Sequence, residues 1–143
     1  AVLALAREVG MLRLRTGPSS ALEIPEEGPP LGETTQLAPR FGAVDPGGLL
    51  LAVFLSDGCH ICRTLEPAIE GLASDPVLSV LVFDEVADSG VWGRLDVPGS
   101  PYAVALDLDG TALAKGSFNN LAQLESILAT AERRRGAREG ARA

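Results

Sequence analysis

Two apolar runs bracket a single helical pattern, and that arrangement limits what the chain can fold into more than any other feature. Leu49-Leu50-Leu51-Ala52-Val53-Phe54-Leu55 is apolar on both alternate faces, and residues 77–83 form a second apolar run of strand length. A strand without polar alternation is covered on both sides, as in the central sheet of an α/β layer. Between the runs, Ile61, Leu65, Ala68, Ile69 and Leu72 recur at spacings of three and four. They mark one buried helix face, and Ser74-Asp75-Pro76 ends the helix. Strand, helix and strand joined by short loops predict a right-handed crossover between parallel strands.

The chain's two cysteines stand at the head of that helix, in Ser56-Asp57-Gly58-Cys59-His60-Ile61-Cys62. Cys59 is expected at or near the N-cap and Cys62 one turn inside. Unpaired backbone N–H groups and the positive end of the helix dipole stabilise a thiolate there, which lowers the Cys59 pKa below the free-thiol value of roughly 8.5. Cys59 is therefore the expected nucleophile and Cys62 the resolving thiol. His60 adds a potentially cationic group that would make the pair more oxidising; the alternative is an exposed histidine without a redox role. Asp57 is a candidate cap for the helix. Glu66, four residues after Cys62, is a candidate proton acceptor for the resolving thiol, or else a solvated carboxylate. A zinc site wants four ligands, and the chain offers one histidine and no third cysteine, so no metal is expected. A two-thiolate Cu(I) site stays open, because soft ligands suit that ion.

The rest of the chain reads as one domain with extra material at its ends, consistent with its 143 residues. Val2, Leu5, Val9 and Leu12 give a short amphipathic helix over residues 1–15. Residues 17–40 are rich in proline and glycine and read as an extension that wraps the domain, with Ala21-Leu22-Glu23-Ile24 as a short edge strand. Residues 84–95 include a short helix that places Trp92 in the core or in a pocket wall. Val97-Pro98-Gly99-Ser100-Pro101 leads into a strand at Tyr102–Leu106, the turn Asp107-Leu108-Asp109-Gly110 makes a hairpin, and residues 111–115 form its second strand. Asn119 or Asn120 caps a last helix, with Leu121, Leu124, Ile127, Leu128 and Ala131 on one face and Arg133, Arg134 and Arg135 near its end. The expected division is 1–40 for the N-terminal helix and extension, 41–135 for the folded domain, and 136–143 for a flexible tail. A net charge of −7 argues against nucleic acid as a partner. No apolar run approaches the roughly 20 residues of a membrane span.

Taken in this order, the chain resembles the thioredoxin fold: α/β, a central mixed sheet flanked by helices, with an N-terminal helix and extended linker added. Cys59, Cys62, Pro67, the stretch Val97-Pro98-Gly99-Ser100-Pro101, and Lys115-Gly116 after the last strand carry the resemblance. It implies that Pro101 is cis, faces the dithiol and, with Ser100, orients the substrate chain. It also implies thiol–disulfide exchange through a mixed disulfide, without an organic cofactor. Two features depart from thioredoxin: Val53 stands where that family has a buried acid, and His60-Ile61 replaces Gly-Pro. The N-terminal part, Ala4 to Leu12 with Gly17-Pro18, Leu31-Gly32 and Ala38-Pro39-Arg40-Phe41, is similar to membrane-anchored thioredoxin-like proteins of the methylamine utilisation protein MauD and TlpA type. That similarity implies a transmembrane helix upstream of Ala1 and an extracytoplasmic domain. The expected partners are protein thiol or disulfide substrates and a redox partner, with membrane contact only through the upstream segment, and the expected state is a monomer. A Cu(I)-binding metallochaperone and a non-catalytic binding module with a structural disulfide are the alternatives.

Overall fold

The computed structural model describes residues 20–142, so the helix expected over 1–15 lies outside the described residues. Strand β1 (Leu49–Leu55) pairs in parallel with β2 (Leu78–Asp84) and antiparallel with β3 (Tyr102–Leu106), which pairs antiparallel with β4 (Ala112–Ser117). The sheet order is β2-β1-β3-β4. Helix α1 (His60–Ala73) makes the crossover between β1 and β2, α2 (Ser89–Arg94) follows β2, and α3 (Leu121–Arg142) closes the chain. This is the α/β layout expected from the apolar runs, with a mixed sheet flanked by helices.

All seven residues of β1 are buried because both sheet faces are covered. Leu49, Leu51, Val53 and Leu55 face one core with Cys62, Leu65 and Ile69 of α1 and Leu124, Ile127 and Ala131 of α3. Leu50, Ala52 and Phe54 face a second core with Phe83, Trp92, Tyr102 and Leu37. Phe54 stacks on Phe83 at 5.3 Å between ring centroids and meets the Trp92 edge at 5.6 Å. The Trp92 indole N–H is satisfied by the Phe83 carbonyl. Asn120 caps α3, its Oδ1 accepting the Gln123 N–H at 2.8 Å.

The extension belongs to this packing. Single antiparallel bridges join Leu22 to Ser117 and Thr34 to Thr111, so residues 22–34 run along β4 in place of the short strand expected there. Leu37 is fully buried in the second core. That face is therefore covered by one short helix and an extended strap.

Two features differ from the sequence expectation. Lys115 and Gly116 lie inside β4, which runs to Ser117, because the strap supplies the strand with a partner at that end. Helix α3 continues to Arg142, through the stretch read as a tail. Its arginines hold it down: Arg134 bonds Glu23 and the Leu113 carbonyl, Arg135 bonds the Gly48 carbonyl, and Arg138 bonds Asp107 and Asp109.

Candidate active site

The register of β1 and β3 builds the site. Phe54 lies opposite Tyr102, so the loop leaving β1 and the loop entering β3 meet at one edge of the sheet. The first loop ends at Cys59, with Cys62 in the first turn of α1, and the second carries Ser100 and Pro101. A single hydrogen bond ties them, Ser56 Oγ to Ser100 Oγ at 2.7 Å. The Ser100–Pro101 peptide bond is cis.

Cys59 is the N-cap of α1, and its Sγ accepts the Cys62 N–H at 3.0 Å. Sulfur here takes the place of the hydroxyl or carboxylate oxygen that usually satisfies a helix's first amides. Asp57 was a candidate for that role; instead its backbone carbonyl accepts from the Arg63 guanidinium at 3.0 Å. Cys59 and Cys62 are joined as a disulfide, with their Cα atoms 5.2 Å apart. The two sulfurs differ in access. Cys62 is 1% exposed and packs in the first core, whereas Cys59 is only partly buried.

His60 is exposed at the first position of α1, with its carbonyl accepting from the Thr64 hydroxyl. Glu66 is exposed further along α1, and among the described residues it makes no hydrogen bond to either sulfur. Position 66 follows Cys62 by one helical turn, but Cys62 turns into the core and the carboxylate stays in water. Val53 is fully buried beneath the dithiol loop, so the strand supplies no acid there. Among the described residues no three His, Cys, Asp or Glu side chains converge as metal ligands would.

One buried charge of the fold is not legible in the sequence. Lys115 is 1% exposed, and its Nζ donates to the carbonyls of Pro25 and Pro29, both at 2.9 Å. A buried ammonium is tolerated only when paired or fully bonded. Its partners come from the strap, 86 and 90 positions earlier in the chain.

No protein-family model matches the chain. It is 28% identical over 162 aligned positions to the methylamine utilization protein MauD of Methylobacillus flagellatus, covering 90% of this chain and 77% of the relative. The MauD of Paracoccus denitrificans is 29% identical over 160 positions, covering 89% and 78%. Among solved structures, the thioredoxin of Fasciola hepatica superposes with a TM-score of 0.54 at 26% identity, over 59% of this chain and 82% of that one. Thioredoxin 1 of Thermosipho africanus gives a TM-score of 0.52 at 19% identity, over 63% and 98%, a likeness of fold.

Proposed function

We propose that this thioredoxin-like protein, similar to the MauD proteins, is a thiol–disulfide oxidoreductase in which exchange runs through Cys59 by way of a mixed disulfide. The observation that supports this reading is the difference in access between the two sulfurs: attack needs a trajectory to sulfur, and only Cys59 offers one. A substrate thiolate attacks Cys59 Sγ, the Cys59–Cys62 bond breaks, and the electron pair leaves on Cys62, which takes a proton. A second substrate thiolate then attacks the substrate sulfur of the mixed disulfide and releases Cys59 as thiolate. The substrate loses two electrons and gains a disulfide, and the protein ends as the dithiol. The reverse sequence reduces a substrate disulfide.

The leaving thiolate on Cys59 is stabilised where it forms. The Cys62 N–H already points at Cys59 Sγ, and the N-terminus of α1 favours negative charge at that position. His60, at the first helical position, is a candidate to make the pair more oxidising by stabilising the Cys59 thiolate. Ser100 and Pro101 form the opposite wall, where substrate backbone would lie. The substrates are protein thiols or disulfides, the renewing partner is a second redox protein, and the domain works outside the cytoplasm, carried by an anchor ahead of residue 1. Among the described residues no helix is long and apolar enough to cross a membrane.

Insulin reduction by dithiothreitol, followed as turbidity, tests the activity. Wild-type protein accelerates it and Cys59→Ser does not. An inert wild type that binds Cu(I) tightly through both thiolates would establish the metallochaperone alternative instead.

A further inference from the structure

We propose that Lys115 is a positioning residue for the substrate loop: by holding the turn at residues 25–29, it fixes both ends of the stretch that carries Pro101. The inference rests on the reading of Ser100 and Pro101 as the substrate-binding wall. Lys115 faces the second core alongside Val104, its partner across the β3–β4 ladder, and the strap passes over it. Its ammonium gathers the Pro25 and Pro29 carbonyls, which bracket residues 26–28. The Glu27 N–H closes the turn on the Ile24 carbonyl at 3.0 Å.

From that turn two bonds reach the loop, one at each end. The Gly28 N–H donates to the Asp96 carbonyl at 2.9 Å, just before Val97. The Tyr102 hydroxyl donates to the Glu27 carbonyl at 3.3 Å, just after Pro101. Gly28 has φ of +72° and lies so close to Tyr102 that a Cβ would overlap the phenol oxygen. A side chain at 28 would push the strap away, so glycine is required for the approach as well as for the backbone. Asp96 is itself at φ of 54°, a conformation that a non-glycine residue adopts at some cost unless its surroundings hold it. The five residues from Val97 to Pro101 thus hang between two points that the strap pins, and a buried cation pins the strap.

This makes the affinity for an extended protein substrate depend on a residue that never touches it. A substrate too small to use the loop should not sense the change. Lys115→Met keeps the stem and removes the donors; Tyr102→Phe keeps the ring and removes one bond. Below their melting temperatures, both variants should raise KM for insulin by roughly fivefold to tenfold, the size of one lost bond of this kind. Turnover of oxidised glutathione and the reduction potential of the Cys59–Cys62 pair should stay at wild-type values. Amide exchange at Gly28 and Val97 should quicken in both variants. Unchanged insulin KM and unchanged exchange in Tyr102→Phe would overturn the proposal even if Lys115→Met fails to fold. Should the wild type turn over no disulfide, the oxidoreductase reading falls, and exchange at Val97 alone decides whether Lys115 governs the loop.

Discussion

Ser56 and Ser100 share a hydrogen bond of 2.7 Å across 44 positions of sequence, and it is the direct polar link between the dithiol loop and the cis-proline loop. Both hydroxyls are part-buried. Removing either leaves the other without its partner. Ser56→Ala and Ser100→Ala should each destabilise the oxidised protein by about 1 kcal/mol, and the double variant should cost less than the sum, with a coupling of roughly 0.5–1.5 kcal/mol. Urea melts of the four proteins measure that coupling directly. A coupling near zero would mean that the two loops are held independently.

Phe54 is the centre of the second core, fully buried against Phe83, Trp92 and Tyr102. Phe54→Ala should lower stability by about 3–5 kcal/mol, because a rigid aromatic cluster collapses poorly around a cavity. The chain has one tryptophan, so its fluorescence reports this core. The variant's emission should shift to the red as water reaches the indole. An unshifted spectrum with a small stability loss would show that α2 closes over the gap.

Acid should weaken the contact between strap and α3. Burial by itself would raise the Glu23 carboxyl, but the Arg134 guanidinium and the Lys115 N–H hold it below the ordinary 4.5. A carboxyl lowered in the folded state contributes stability above its unfolded value and loses it as pH falls through the folded value. The denaturation midpoint should therefore drop below about pH 4.5, and Glu23→Gln should drop less over the same range. Asp109 is lowered in the same direction, by Thr111 and Arg138 against its own desolvation, but its side chain is 55% exposed and contributes little. Identical acid profiles for wild type and Glu23→Gln would remove this contact from the account.

The end of α3 should also matter. Arg138 bridges the two aspartates of the β3–β4 hairpin, so removing residues 136–143 should lower stability by roughly 0.5–1 kcal/mol. Calorimetry of the truncated chain checks it; an unaltered melting temperature would show that the bridge contributes nothing in solution.

These residues also show where the sequence was readable. Strands β1 and β3 begin and end where the apolar runs do, since burial on both faces leaves an unbroken signal. Cys59 falls at the N-cap because the helical periodicity starts just after it. The sequence places Lys115 at the end of a strand but does not show its burial, because its carbonyl partners lie in a proline-rich stretch with no periodicity of its own. From the sequence, the arginines of α3 are dipole complements. Their bonds to Glu23, Gly48, Asp107 and Asp109 depend on tertiary placement, which local pattern does not carry. Glu66 had the right helical spacing for Cys62, but spacing places Cα atoms, and the cysteine turns inward while the carboxylate turns out.

The asymmetry between the two sulfurs is the core of the account, and trapping tests it most directly. Reduced Cys62→Ser and Cys59→Ser, each with one thiol, are mixed with excess oxidised glutathione, and the mixed disulfide is followed by intact mass. Attack by the Cys59 thiolate releases one glutathione thiolate and adds one glutathione to the protein. Cys62→Ser should be modified at least about 10-fold faster than Cys59→Ser, since Cys59 is accessible and lies at the helix terminus. Equal rates, or faster modification of Cys59→Ser through Cys62, would contradict the assignment of Cys59 as the exchanging sulfur.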